Sequence, residues 1–227
     1  MLQTRLLSPI RLPISRRQRQ HRHQLRQHPA SQQALIDKRT SARLRRLIGA
    51  LPVSLVRPIS ISFLPDLAVS RHHLLPASPG RGIPVYAASF IRQRRIVFDQ
   101  SLISNEPLLH FIAAHEIFHF AWARLGNRKR AEFSHILAAE IASGARGEMG
   151  ESSELKKAGL KLTPEKRRSG LSGLTSLRRW RDYVCESFCD TAAWLYGDRS
   201  AKITLAKRWR ARRIAWLKAT FALPHAC

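Results

Sequence analysis

Apolar and polar positions along the chain change period several times, and each change marks an element. Leu44, Leu47, Ile48 and Leu51 fall at i, i+3, i+4 and i+7, one face of a helix that starts near Ala34 and that Pro52 stops. In RPISISF the period drops to two: Ile59, Ile61 and Phe63 alternate with serines, which predicts a half-buried strand closed by Pro65. PASPGRG at 76–82 reads as a turn or loop from its Pro and Gly content. IPVYAASFI and RRIVF then read as two strands around the polar break Arg92–Arg94, a hairpin.

From there the pattern is helical. LLHFIAAHEIFHFAWARLG is apolar nearly all round, the mark of a buried helix. Ser104 or Asn105 suits its N-cap, with Glu106 and Pro107 in the first turn and Gly126 as its stop. Further helices are predicted over about 129–143, 177–195 and 203–221. The stretch 144–175, rich in Gly, Ser and Lys, reads as a mobile insertion. Strands first and helices after give an α+β class. No internal repeat is visible.

The chemistry sits in the apolar helix. His115 and His119 of HEIFH stand four apart on one helix face, so two imidazoles can reach one ion. Catalytic Zn²⁺ takes three protein ligands plus a water, and Glu116, about 100° round the helix, can act on that water as general base. Burying such groups without partners is costly, so an apolar helix that carries them needs to satisfy them. For the third ligand two residues compete. Glu186 of ESFCD lies on another apolar helix, with Asp190 one turn on, placed to accept the spare N–H of a ligating histidine. His135 in AEFSHILAAE would instead give a three-histidine site. Tyr183 and Tyr196 are the nearest oxyanion donors by sequence, though packing is the simpler role for both.

HEIFH followed by ESFCD resembles the gluzincin pattern, HExxH then ExxxD. RRIVFDQSLISNEPLLHFIAAHEIFH with ESFCDTAAWL resembles more closely the ImmA/IrrE group of bacterial metallopeptidases. The resemblance covers about 83–126 and 180–197. It implies a zincin-like fold: a small, mostly antiparallel N-terminal sheet packed on the HExxH helix, followed by a helical half. It further implies zinc, His115, His119 and Glu186 as ligands, Glu116 as base, and a protein or peptide substrate, as in enzymes that act on DNA-bound regulators. The gap from His119 to Glu186 is longer than that group's, which makes about 127–176 an insertion. Phe118 is bulky where the group carries a small residue. A SprT/Spartan-like protease, similar in its HExxH, a third histidine near the place of His135 and an affinity for DNA, is the alternative.

Charge widens the choice of partner. Lys and Arg number 40 against 15 Asp and Glu, a net +25 with a pI near 11.6. A basic surface of this size attracts nucleic acid or an acidic protein, and LAKRWRARRIAWLK sets aromatics among arginines. A basic nucleic-acid-binding protein with a merely structural helix is therefore a second function class. Residues 1–33 lack acids and read as a disordered basic arm or an organellar targeting segment, 34–200 as the catalytic domain and 201–227 as a basic C-terminal helix. No run approaches the ~18 apolar residues of a membrane span. Three cysteines without a CxxC pair argue against a disulfide framework or zinc ribbon and for a reducing compartment; the resemblance implies that this is the bacterial cytoplasm. Cys185 and Cys189 read as small buried apolar residues.

Overall fold

A computed structural model describes residues 40, 42–55, 57–70, 73–75, 82–163, 178–199 and 201–222. The predicted basic arm lies outside them, as do the start of the first helix and Cys227. Helix α1 occupies 42–50. Six short strands follow: β1 (Ser60–Leu64), β2 (Ala68–Ser70), β3 (His73–Leu75), β4 (Ile83–Pro84), β5 (Ala87–Phe90) and β6 (Arg95–Asp99). A 3₁₀ turn, Gln100–Ser104, leads into α2 (Glu106–Arg124), α3 (Asn127–Ala142), α4 (Glu151–Gly159), α5 (Arg178–Ala192) and α6 (Lys207–Thr220). The class is α+β, as the pattern of elements predicts.

The main sheet has the order β1–β6–β5 and is mixed rather than mostly antiparallel. β1 runs parallel to β6, with Ser60 opposite Arg95, and β5 runs antiparallel to it, with Ala87 opposite Phe98. The expected hairpin is present, and its turn puts Arg94 at φ 49°. The first of its predicted strands is divided. Only Ala87–Phe90 pairs with β6, while Ile83–Pro84 joins a second antiparallel sheet of order β3–β2–β4. Period-two alternation assigns the faces. Ala87, Ile96 and Phe98 enter the core shared with the helices; Ala88, Phe90 and Val97 pack with Leu67, Val69 and Val85 of the small sheet's side. The sheet is thus covered on both faces.

Asp99 links sheet to helix. Its Oδ2 accepts the Leu67 N–H at 2.7 Å and its Oδ1 the Ser101 N–H at 2.9 Å, which turns the chain toward α2. Asn105 caps α2 by accepting from the Leu108 N–H at 3.2 Å, with Pro107 in the first turn, as predicted. The helix ends at Arg124, and Gly126 caps α3 instead of stopping α2. Twelve residues of α2 are buried between the sheet and α5. Phe118 fits there without cost to packing: its ring stacks on Tyr196 at 5.6 Å and meets Phe188 edge-on at 5.8 Å.

The stretch predicted as an insertion is built into the body over its described part. Phe133, Leu137 and Ile141 of α3 are fully buried, and α4 packs against α5. Residues 164–177 lie outside the described residues. The C-terminal helix is shorter than the predicted 203–221 because Thr204 and Leu205 N–H groups donate to the Glu148 carbonyl at 3.0 Å each, holding that segment extended. Inward from α6, Arg213 is fully buried. It pairs with Glu140 of α3 and with Glu148, 2.6 Å in each case, and donates to Ser187 of α5 at 2.8 Å. Tyr183 donates to Glu148 at 2.6 Å and Lys157 of α4 lies 2.9 Å away. This ion cluster binds four helices along the Tyr183 and Ser187 face of α5, next to the face that carries Glu186 and Asp190.

Candidate metal centre

α2 and α5 lie side by side, and their facing turns carry the candidate residues. One turn of α2 presents His115 and His119; one turn of α5 presents Glu186 and Asp190, with Cys185 and Cys189 one residue before each. All six are buried. Spacing of four on each helix gives each pair a common face, so two local patterns meet across 66 or more residues of chain.

The two Nε2 atoms of His115 and His119 are 3.1 Å apart. Glu186 Oε2 lies 3.3 Å from the first and 3.9 Å from the second. In the plane of these three atoms, the point equidistant from them is about 2.0 Å from each, the length of a zinc bond to nitrogen or oxygen. Glu186 Oε2 is buried and has no hydrogen-bond partner among the described residues. His115 is steered from behind: its Nδ1 is 2.8 Å from Asp190 Oδ1, and Asp190 Oδ2 accepts the Ser153 N–H at 2.8 Å. Both sulfurs lie against His119 Nδ1, Cys185 at 3.5 Å and Cys189 at 3.4 Å.

The electrostatics favour a positive charge at this point. Burial opposes charge on His115, but the Asp190 hydrogen bond and the negative charges of Asp190 and Glu186 outweigh it and hold its pKa well above the ordinary value. His119 is lifted to about 9, against burial, by Cys185 and Glu186. Burial also opposes ionisation of Glu186, yet the two histidines draw its pKa down. The Cys185 thiol is drawn down to about 6 by the Cys189 hydrogen bond and by His119, while burial pushes Cys189 up.

A buried group of His115, His119 and Cys189 offers donor atoms close enough to hold a metal ion. Glu186 stands in the same cluster and faces the Nε2 atoms, whereas the sulfurs face Nδ1 of His119. The two ring nitrogens point apart, so an ion shared by both Nε2 atoms has Glu186 beside it. Glu116 is buried on α2, and its Oε2 accepts a hydrogen bond from Ser89 Oγ of β5.

The remaining expected residues fall elsewhere. His135 is exposed on α3, outside the buried group, so the three-histidine arrangement lacks its third member. Tyr183 is committed to Glu148 and Tyr196 to stacking on Phe118, the packing roles expected of them. Gly150 and Ser153 were not among the expected residues. A Cβ on Gly150 would sit 2.4 Å from Asp190 Cγ, so only glycine lets the α4 N-terminus approach that carboxylate. A glycine followed by ESSE is the signal that could have found them, since acids in a first turn mark a helix start. Comparison of the chain with family models, curated proteins and solved structures finds no match.

Proposed function

We propose that the chain is a zinc metallopeptidase of gluzincin type, most similar to the ImmA/IrrE group, with His115, His119 and Glu186 as ligands and Glu116 as general base. The observation that carries this reading is the meeting of two Nε2 atoms and one orphaned carboxylate oxygen around a single point. A buried carboxylate oxygen without a donor is costly, and a cation removes the cost. Two imidazoles and one carboxylate form a donor set used by catalytic zinc, with a fourth position left for water. Zinc bound there would lower the pKa of its water and polarise a substrate carbonyl.

The chain's own groups supply the rest. Glu116 takes the proton of the attacking water and passes it to the leaving amine. Ser89 Oγ fixes that carboxylate from the sheet side. Asp190 orients His115. β1 and β5 are the two edges of the main sheet, and β5 is the edge that holds Glu116 through Ser89, so β5 is the strand to which an extended peptide adds. A sheet edge beside the HExxH helix is the arrangement a zincin-like fold requires. Among the described residues no helix is long and apolar enough to cross a membrane.

Metal analysis and cleavage assays test the reading together. Purified protein carries about one equivalent of zinc, which the His115→Ala variant loses. Glu116→Gln keeps the metal and loses peptide cleavage. Cleavage at the wild-type rate in that variant removes the assigned base, and a metal-free wild type removes the enzyme.

A further inference from the structure

The two ligating histidines of the proposed centre are held differently, and the difference assigns a role to the cysteines. His115 has its Nδ1 against a carboxylate, Asp190 Oδ1 at 2.8 Å. Among the described residues His119 has no carboxylate at Nδ1; it has two sulfurs, Cys185 Sγ at 3.5 Å and Cys189 Sγ at 3.4 Å. We infer that Cys185 and Cys189 are positioning residues for His119, their sulfurs accepting its Nδ1–H so that Nε2 is the nitrogen presented to the cation. This rests on the zinc reading above.

The surroundings of His119 carry it. A neutral imidazole that binds a metal through Nε2 keeps its proton on Nδ1, and that N–H needs an acceptor when buried. His119 is fully buried, and the sulfurs are the atoms found at hydrogen-bond distance from its Nδ1. The cysteines stand four apart on α5, so both reach the same nitrogen from one helix face, in the turn that carries Glu186. They are free thiols, buried and without a disulfide. A pair of apolar fillers would not need sulfur at this spacing. Hence α5 supplies a ligand through Glu186 and the orientation of both histidines, His115 through Asp190 and His119 through the thiols.

The test is zinc affinity measured by chelator competition on the full chain, with X-ray absorption at the zinc edge. Cys185→Ala/Cys189→Ala weakens zinc binding by about 10–100-fold. Cys185→Ser/Cys189→Ser, which restores an acceptor, recovers most of it. Val184→Ala takes a buried side chain from the same helix, distant in role from His119, and binds zinc like the wild type. Absorption of the zinc-loaded wild type shows nitrogen and oxygen neighbours only. Equal affinity of the double alanine variant and the wild type overturns the inference, as does a loss in Val184→Ala as large as in that variant. A zinc–sulfur distance of about 2.3 Å also overturns it, because the thiols would then be ligands. Failure of the wild type to take up zinc is a separate result: it removes the metal reading itself.

Discussion

Asp190 and Ser153, 37 residues apart in sequence, meet at 2.8 Å, the backbone N–H at the start of α4 donating to Oδ2 while Oδ1 faces His115 Nδ1. The carboxylate is an acceptor at both ends, and that decides what can replace it. An amide presents one oxygen and one NH₂, so Asp190→Asn sets a donor against either Ser153 N–H or the His115 ring. Asp190→Asn and Asp190→Ala are therefore expected to weaken zinc binding alike, by about 10–100-fold. Chelator competition measures this; an asparagine variant with wild-type affinity would show that His115 does not depend on that contact.

Gly150 makes the same contact possible from the backbone side. Its hypothetical Cβ falls 2.6 and 2.7 Å from the two Asp190 oxygens, closer than any side chain tolerates. Gly150→Ala should cost about 1–3 kcal/mol as α4 or Asp190 gives way. Zinc affinity drops with it, because the displaced group is the one that orients His115. Gly49 on α1 is a control, since no described residue lies within 4 Å of its Cβ position. Alanine there stabilises the helix by about 0.5–1 kcal/mol. Denaturant unfolding of the two variants gives the comparison.

Glu148 gives a pH dependence whose sign follows from its surroundings. Burial raises its pKa, but Arg213 and Lys157 outweigh that and hold it below the ordinary 4.5. A group depressed in the folded state contributes stability that is fully present above the unfolded pKa, about 4.5, and is lost as pH falls through the folded value. The stability gap between wild type and Glu148→Gln is accordingly widest above about pH 4.5 and narrows in acid. Arg213→Ala, which leaves Glu140 buried without its partner and takes one of two cations from Glu148, costs about 3–5 kcal/mol near neutrality. A gap that grows on acidification would reverse the assignment.

Much of this arrangement was legible from residue spacing, and the losses have physical causes. The i, i+4 pairs His115/His119 and Glu186/Asp190 each define a helix face without any long-range information, so the residues brought together at the centre are those the sequence singled out. What the sequence left open was the partner across the gap. His135 and Glu186 were rivals until the fold placed one in solvent and the other 3.3 Å from His115. The small sheet was missed because three-residue strands show no period. Arg213 was missed because nothing separates one inward guanidinium from 40 basic residues, except that it falls four before Leu217, on the apolar stripe of α6. The cysteines were read as filler, since a sequence shows their size and not the ring nitrogen they touch.

Ser89 tests the assigned base without touching a ligand. Its hydroxyl, on the α2-facing side of β5, donates to Glu116 Oε2. Removing it in Ser89→Ala frees the carboxylate to leave the position from which it meets water. A fall in kcat on the order of 10-fold follows, with zinc content unchanged and KM little altered. Should zinc be lost along with activity, Ser89 supports the fold of the centre and says nothing about the base.

The basic surface calls for a measurement apart from catalysis. On α6, Arg213 points into the core, so the helix cannot be treated as one continuous basic face; Lys207, Arg208, Arg212 and Lys218 are the members left exposed. If these contact phosphates, the affinity for duplex DNA falls with salt, and each contact contributes about 0.9 to the slope of log K against log salt. Neutralising Arg208, Arg212 and Lys218 with glutamine flattens that slope by about 0.9 per lost contact, while zinc content and peptide cleavage stay as they were. A slope that does not change places polyanion binding on other basic residues, because a net charge of +25 acts over the whole surface and only the stoichiometry of contacts identifies a face.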